Sequence, residues 1–279
     1  MSAPGGERLV EISHLLTELL PPETIAGCEA TLSADERERH RRFYFADDRR
    51  DYAAAHDLLR RSLSRHASTP PEAWTFAADA MGKPFLTGLR RDDSDSSQPP
   101  SSLSFNLSHT RGLVACAVTW ETEVGVDVER VDRQIEIDGL ARRYFSDMEV
   151  AALGRRRDAT ARAVHFFELW TLKEAFLKAI GTGLSQPLAT ASFDFRPVPH
   201  AGNFDHAETI VFSAPAGIDA RAWVFALYAP SPRFRLAVAV HRGAGSAGST
   251  GINIRFCAGP PLSQPGASLM PLRATDGSA

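Results

Sequence analysis

The chain has 279 residues, of which 43% are hydrophobic and 23% charged, so wholesale disorder, collagen-like repeats and a coiled coil are excluded. Its net charge of −3 and pI of about 6.3 give no overall attraction to nucleic acid or to an anionic membrane. The three cysteines are far apart and form no CxxC pair, so neither a disulfide framework nor a structural zinc site is expected. The chain starts without signal-peptide features and contains no apolar run of about 18 residues, which predicts a cytoplasmic protein.

In the first half of the chain, the pattern of apolar and polar residues predicts two helices followed by short strands. After a partly unassigned segment over residues 1–32, one helix follows Ser33, and a second has apolar residues recurring near the 3.6-residue period. Strands are predicted at WTFAA, KPFL, LSFNL and GLVACAVTW. The polar, turn-rich stretch 87–102 is predicted to be a mobile surface insertion, so the N-terminal α+β half covers 33–120.

The second half, 121–242, begins with a strand at EVGVDVER and continues with helices between about 135 and 180. Ser146 and Glu149 match a capping box, and Gly181 stands where the longest helix should end. Strands ASFDF, TIVFS, RAWVFALY and RFRLAVAVH follow. The Gly-, Ser- and Pro-rich tail over 243–279 is predicted to be disordered, with INIRF as a short strand at most.

Two carboxylates in GVDVE form the first candidate site. On a strand, Asp127 and Glu129 lie on one face about 6.6 Å apart along the chain. Such a pair suits Mg²⁺, which takes few protein oxygens and keeps water or phosphate ligands. Taken alone, a solvated acidic strand edge explains the alternation better.

A second candidate pair lies on the predicted long helix. Glu174 and Lys178 are four residues apart, so they share one helical face about 6 Å apart in rise. A surface ion pair would be the ordinary explanation. The surrounding aromatic residues indicate a mostly buried helix instead. Burying charged side chains is unfavourable for folding, so their presence in such a helix indicates a functional role.

Four further polar residues are candidates for binding an anion. Ser108 and His109 come at a strand end without a GxSxG motif, so a phosphate contact fits better than a hydrolase nucleophile. Lys83 lies at a turn, without the glycines of a P-loop, and Arg39 belongs to an arginine group that is suited to phosphate. For each, a solvated or structural role is the alternative.

Taken together and in this order, these motifs resemble 4′-phosphopantetheinyl transferases of the Sfp type. The similarity runs from about Ser33 to His241 and is carried by GKPFL, FNLSHT, VGVDVER, FS-x-x-E and FFELWTLKEAFLKAIGTGLS. The most diagnostic feature is GVDVE followed about 45 residues later by W-x-x-KEA-x-x-K. The resemblance implies an α+β fold built as a pseudo-dimer of two similar halves, with the active site between them.

The resemblance also implies an activity and roles for the candidate residues. Members transfer the phosphopantetheine arm of coenzyme A to a serine of an apo acyl, aryl or peptidyl carrier protein and release adenosine 3′,5′-bisphosphate. By similarity, Mg²⁺ would be held by three carboxylates, and coenzyme A would be contacted by residues from both halves. The metal set is Asp127, Glu129 and Glu174; the coenzyme A set is Arg39, Lys83, Ser108, His109 and Lys178. Glu174, or a metal-bound water that it orients, would take the proton of the carrier serine, and Lys178 would act at the pyrophosphate.

Two other classes of function compete with the transferase. One is another Mg²⁺-dependent phosphoester enzyme, such as a pyrophosphohydrolase acting on coenzyme A, and the other is a non-catalytic module that binds coenzyme A or a carrier. The complete set of carboxylates and Lys178 favours the transferase. We further expect a monomer that binds neither nucleic acid nor membrane, whereas the carrier and the pathway are not defined by the sequence.

Overall fold

The computed structural model describes residues 8–87, 103–182, 187–197, 208–243, 251–258, 269 and 271–275. Within these ranges the chain forms six α-helices and twelve β-strands. The helices are α1 (Pro22–Ala30), α2 (Ala34–Arg42), α3 (Ala46–Ser64), α4 (Ile137–Tyr144), α5 (Asp147–Gly154) and α6 (Ala159–Ile180). The strands are β1 (Arg8–Leu16), β2 (Phe76–Ala78), β3 (Pro84–Leu86), β4 (Leu103–Thr110), β5 (Leu113–Trp120), β6 (Val124–Arg130), β7 (Ser192–Pro197), β8 (Glu208–Ser213), β9 (Trp223–Tyr228), β10 (Phe234–His241), β11 (Ile252–Ala258) and β12 (Arg273–Ala274).

Two sheets and two long helices form four layers. A four-stranded sheet has the order β11-β1-β5-β4, and a six-stranded sheet has the order β6-β10-β9-β12-β8-β7. Side chains alternate in direction along β5, so Val114, Cys116 and Val118 face α3 and the residues between them face the six-stranded sheet. Helix α6 packs on the far side of the six-stranded sheet. In each half, one sheet therefore packs against one long helix. This arrangement confirms the α+β class and the two-halves architecture.

The tail contains more ordered structure than the sequence predicts. Strand β11 pairs in parallel with β1, and β12 lies between β9 and β8. The short strand expected at INIRF is confirmed as part of β11, whereas the prediction of disorder is wrong for 257–258 and 273–274. Apolar Ile252 joins the core between the sheets, and its partner strand lies more than 230 residues earlier, where no local pattern reveals it. The partly unassigned segment 1–32 supplies β1 and α1, whereas 88–102 of the predicted insertion lies outside the described residues.

The predicted helix boundaries of the second half are confirmed, and the capping box at Ser146 has an additional role. Glu149 accepts the Ser146 backbone N–H at 2.8 Å, is almost fully buried, and forms an ion pair with Lys173 Nζ at 2.8 Å. Lys173 also donates to the Leu188 carbonyl at 2.9 Å. These contacts fix the rotation of α6 about its axis, because Lys173 must point into the core. None of the helices in the described ranges is long and apolar enough to cross a bilayer.

Strand β6 and helix α6 touch backbone to backbone at Gly125. A Cβ atom at this position would lie 2.0 Å from the Ala175 carbonyl oxygen and 2.6 Å from the Ala179 nitrogen. Only glycine permits this approach. The contact places the Glu174–Lys178 face of α6 beside the acidic end of β6.

We expect Gly125→Ala to destabilise the protein by about 3 kcal/mol, because the added methyl group must push α6 away from β6. Urea unfolding followed by circular dichroism measures the change. Gly27→Ala is the matched control: Gly27 lies inside α1 with no neighbouring atom within 4 Å of its Cβ position, and a gain of about 0.5–1 kcal/mol is expected there. Equal effects of the two substitutions would contradict the close packing at Gly125.

Candidate active site

Asp127 lies at the centre of the candidate site. The residue is only 5% exposed, and Oδ1 accepts hydrogen bonds from Ser108 Oγ at 2.9 Å and from Lys178 Nζ at 2.6 Å. The other oxygen, Oδ2, is buried and has no hydrogen-bond partner among the described residues. A buried carboxylate oxygen without a partner is costly, so Oδ2 is suited to binding a cation.

Helix α6 contributes Glu174 and Lys178 from adjacent turns. Lys178 Nζ donates to Ser108 Oγ at 2.8 Å as well as to Asp127, so it bridges the two halves. Burial, followed by the negative charge of Asp127, raises the pKa of Glu174 to about 7. Glu174 is therefore a carboxyl group whose ionised form the surrounding protein disfavours when no metal is bound.

Glu129 is two residues beyond Asp127 on β6 and is half-buried. The side chains of Asp127, Glu129, Glu174 and Lys178 border a cleft. Burial, followed by the charge of Asp127, raises its pKa, while Arg133 and Lys178 oppose this increase. Arg133 Nη1 donates to Glu129 Oε2 at 2.7 Å. In addition to burial, the charges of Asp127 and Glu129 both raise the pKa of Glu174, which places the three carboxylates in one site.

Ser108 and Asn106 join the two sheets at the site. The Asn106 side-chain oxygen accepts the Val126 N–H at 2.9 Å, and Ser108 Oγ accepts the Val128 N–H at 3.3 Å. Side chains of β4 thus satisfy backbone donors of β6, where two edge strands meet. Asn106 belongs to the same motif as Ser108 but was not among the predicted site residues, although its two-residue spacing from Ser108 places both residues on the same face of β4.

Lys83 lies at the C-terminal end of α6. Its Nζ donates to the Ala179 carbonyl oxygen at 2.6 Å, and burial lowers its pKa. Gly181 has φ of +70° and ends the helix; a Cβ there would lie 3.0 Å from Lys83 Cδ. A cavity of about 260 Å³ opens beside it. Its lining comprises Met81, Gly82, Lys83, Pro84, Asn106, Leu107, Glu174, Leu177, Lys178 and Gly181.

His109 and Arg39 are less closely tied to this cluster. The His109 side chain is exposed on the face of β4 opposite Ser108, yet partial desolvation and then the Lys178 charge lower its pKa. Arg39 is exposed on α2, and its charge acts on Tyr52 of α3. No contact recorded among the described residues connects Arg39 directly to Asp127 or Lys178. The structure thus brings together Asp127, Glu129, Glu174, Lys178, Ser108 and Lys83, places His109 at the margin, and leaves Arg39 on a separate helix.

The residues present fit a hard divalent cation. All three candidate donors are carboxylates, and Asp127 offers a buried oxygen that lacks a hydrogen-bond partner. Nowhere in the described ranges do three acidic, histidine or cysteine side chains already converge into a metal cage. A cation here would therefore draw its remaining ligands from water and from a bound anion, as Mg²⁺ does.

Glu174, Lys83 and Lys178 line the part-apolar cavity, and the hydrogen bond from Lys178 connects the cavity to Asp127. The two lysines supply positive charge beside carboxylates that are suited to binding a cation. This combination suits a pyrophosphate, which needs a metal and fixed cations together. A nearly neutral protein has to supply such charge locally.

Two family models match the chain on either side of this site. The model described as the 4′-phosphopantetheinyl transferase superfamily matches residues 123–238, and the one described as 4′-phosphopantetheinyl transferase, N-terminal, matches residues 22–121. The boundary between the two models falls between β5 and β6, where the two sheets are joined.

Several curated proteins are similar over the same region. The 4′-phosphopantetheinyl transferase HetI of Nostoc sp. is 36% identical, over 60% of this chain and 66% of its own length. A 4′-phosphopantetheinyl transferase of Bacillus subtilis is 30% identical, over 61% and 70%, respectively. The 4′-phosphopantetheinyl transferase Sfp of B. subtilis strain 168 is 30% identical, over 58% and 65%. These matches confirm the resemblance found in the sequence, and the chain belongs to the 4′-phosphopantetheinyl transferase family, whose members transfer phosphopantetheine from coenzyme A to carrier proteins.

Proposed function

We propose that this chain transfers the 4′-phosphopantetheine of coenzyme A to a serine of an apo acyl or peptidyl carrier protein in an Mg²⁺-dependent reaction. Adenosine 3′,5′-bisphosphate is the second product. The observation that carries the proposal is the cluster of Asp127, Glu174 and Lys178 in the second half. Hydrogen bonds of Ser108 with Asp127 and Lys178 connect this cluster to the first half. Family membership supports the activity, and the donor chemistry of the site supports the metal requirement.

Asp127, Glu129 and Glu174 would hold the Mg²⁺ ion. When bound, Mg²⁺ neutralises charge on the pyrophosphate oxygens of coenzyme A. Asp127 would contribute Oδ2, which has no hydrogen-bond partner among the described residues, while Ser108 orients the carboxylate through Oδ1. The hydrogen bond from Ser108 would thus hold the carboxylate in place before substrate arrives.

Lys178 and Glu174 act at the reacting atoms. Lys178 Nζ, held by Ser108 and Asp127, donates to the pyrophosphate at the bond that breaks. Glu174 accepts the proton of the carrier serine, directly or through a water molecule that it orients.

Coenzyme A would occupy the cavity at the end of α6, with Lys83 beside its phosphates. Arg39, Ser108 and His109 are proposed to contribute further contacts to coenzyme A, as the family resemblance implies. The acceptor is a carrier protein. A monomeric state, a cytoplasmic location and the lack of nucleic-acid or membrane binding remain predictions from the sequence.

Intact-protein mass spectrometry of an apo carrier protein tests the proposal. After incubation with coenzyme A, Mg²⁺ and this protein, the carrier should gain one phosphopantetheine, and EDTA should prevent the gain. Asp127→Asn should slow transfer about 100- to 1000-fold, because it removes the ligand charge while keeping the side-chain shape. Asp219→Asn, which changes an exposed loop carboxylate, is the matched control and should transfer normally.

The other outcomes of the same experiment identify the competing functions. Cleavage of coenzyme A without a gain of mass by the carrier would indicate a pyrophosphohydrolase. Intact coenzyme A and unmodified carriers of every tested class would indicate a binding module. Transfer in EDTA at the normal rate would contradict the metal requirement while leaving the transferase activity in place.

Lys178→Ala should lower kcat about 100-fold while raising the KM for coenzyme A no more than about threefold. The reason is that Lys178 contacts the bond that breaks, so most of its contribution appears in the transition state. Steady-state kinetics with a saturating carrier gives both constants. Lys83→Ala provides the contrast, because Lys83 lies beside the cavity and should mainly raise KM; equal losses in both constants for Lys178→Ala would make Lys178 a binding residue only.

Glu174→Gln should make the metal-free protein more stable at pH 8 by about 1–3 kcal/mol. The folded-state pKa of Glu174, about 7, exceeds the usual glutamate value of 4.5, so folding disfavours the ionised form and stability falls as pH rises through this interval. Glutamine stays neutral, so the difference should vanish near pH 4. Urea unfolding in EDTA at both pH values measures it, with Glu72→Gln as the exposed control. A variant that is no more stable at pH 8 would mean that Glu174 ionises freely.

A further inference from the structure

Arg133 forms an ion pair with one of the proposed metal ligands. It lies four residues after Glu129, in the loop that leaves β6, and its guanidinium donates to Glu129 Oε2 at 2.7 Å. The Arg133 side chain is 50% exposed, whereas that of Glu129 is 15% exposed. A basic group on a solvent-exposed loop is thus bonded to a carboxylate at the edge of the catalytic cleft.

The neighbouring arginines pair with acids outside the site. Arg130 forms two hydrogen bonds to Asp132, at 2.8 and 2.7 Å. Arg233 donates to Asp132 at 3.1 Å and to Glu18 at 3.0 Å. Asp132, the acid next to Arg133 in sequence, is therefore already engaged by two guanidinium groups. Arg133 instead reaches back to Glu129.

A guanidinium and a divalent cation compete for the same carboxylate charge. A metal ion held by Glu129 would lie close to Arg133, and the two positive charges would repel each other. An ion pair that is half exposed contributes little stability, so Arg133 can leave Glu129 at low cost. Lys178 differs, because its partners Asp127 and Ser108 are buried and its helix is fixed by packing.

We propose that Arg133 is a positioning residue that occupies Glu129 in the metal-free protein and is displaced when the metal binds. It serves as a removable counter-cation that limits repulsion among the three carboxylates and lowers the affinity of the site for the metal. This inference rests on the proposed metal site. It predicts that loss of the guanidinium strengthens metal binding, whereas a residue that merely orients a ligand would weaken binding on removal.

Mn²⁺ binding to the protein without coenzyme A, followed by the electron paramagnetic resonance signal of free Mn²⁺, provides a readout independent of activity. Arg133→Ala should bind Mn²⁺ about three- to tenfold more tightly than the unaltered protein. Arg133→Lys, which keeps a cation within reach of Glu129, should stay within about twofold. Arg130→Ala removes a nearby charge that does not contact the site, and it should also stay within about twofold. In a Glu129→Gln background the gain from Arg133→Ala should disappear.

The outcomes separate this inference from the metal site on which it rests. Unchanged or weaker Mn²⁺ binding by Arg133→Ala would overturn the role of Arg133, provided that Asp127→Asn reduces binding as expected. Equal tightening by Arg130→Ala would also overturn it, because a general change of charge would then explain the effect. If Asp127→Asn binds Mn²⁺ as well as the unaltered protein, the metal site is wrongly assigned and the proposal for Arg133 falls with it.

Discussion

The direct contact between the backbone of α6 and Gly125 of β6 determines where the chemical groups lie. A side chain of any size at this position would separate the helix from the strand by the thickness of that side chain. Lys178 could then no longer reach Asp127, since their 2.6 Å contact depends on this separation. The glycine in GVDVE thus belongs to the site as much as the two acids beside it, although it contributes no functional group.

The junction of the two sheets has a second constraint. Backbone N–H groups of an edge strand must find acceptors when another element covers them. Asn106 and Ser108 provide these acceptors for Val126 and Val128, so the two halves are joined by side chains where their edge strands meet. Because Ser108 also contacts Asp127 and Lys178, the group that joins the halves is the same group that orders the site. Movement of one half relative to the other would therefore disturb the proposed chemistry directly.

Local patterns in the sequence predicted much of the fold, whereas the candidate site residues were selected by the family resemblance of their motifs. The apolar alternation in GVDVE and the four-residue spacing of Glu174 and Lys178 depend only on strand and helix geometry, and the structure brings these residues together. The pairing of β1 with β11 was not predictable in this way, because it joins opposite ends of the chain. The interactions of Asn106 and Arg133 were missed for a related reason. Each depends on a particular acceptor or donor, Val126 N–H or Glu129 Oε2, and composition does not reveal such a partner.

The cleft contains carboxylates whose burial in ionised form is unfavourable for folding. Contacts on the opposite side of α6 hold the helix, and therefore these carboxylates, in place. The raised pKa values of Glu129 and Glu174 show that their ionised forms are disfavoured in the folded chain. On the core side, the adjacent Lys173 is buried, paired with Glu149 and bonded to the Leu188 carbonyl. That satisfied network fixes α6 in position, so repulsion in the cleft cannot relax by rotation of the helix. Consecutive residues of one helix thus face opposite surroundings: Lys173 is held in the core by its ion pair with Glu149, and Glu174 places a carboxylate in the cleft beside Asp127.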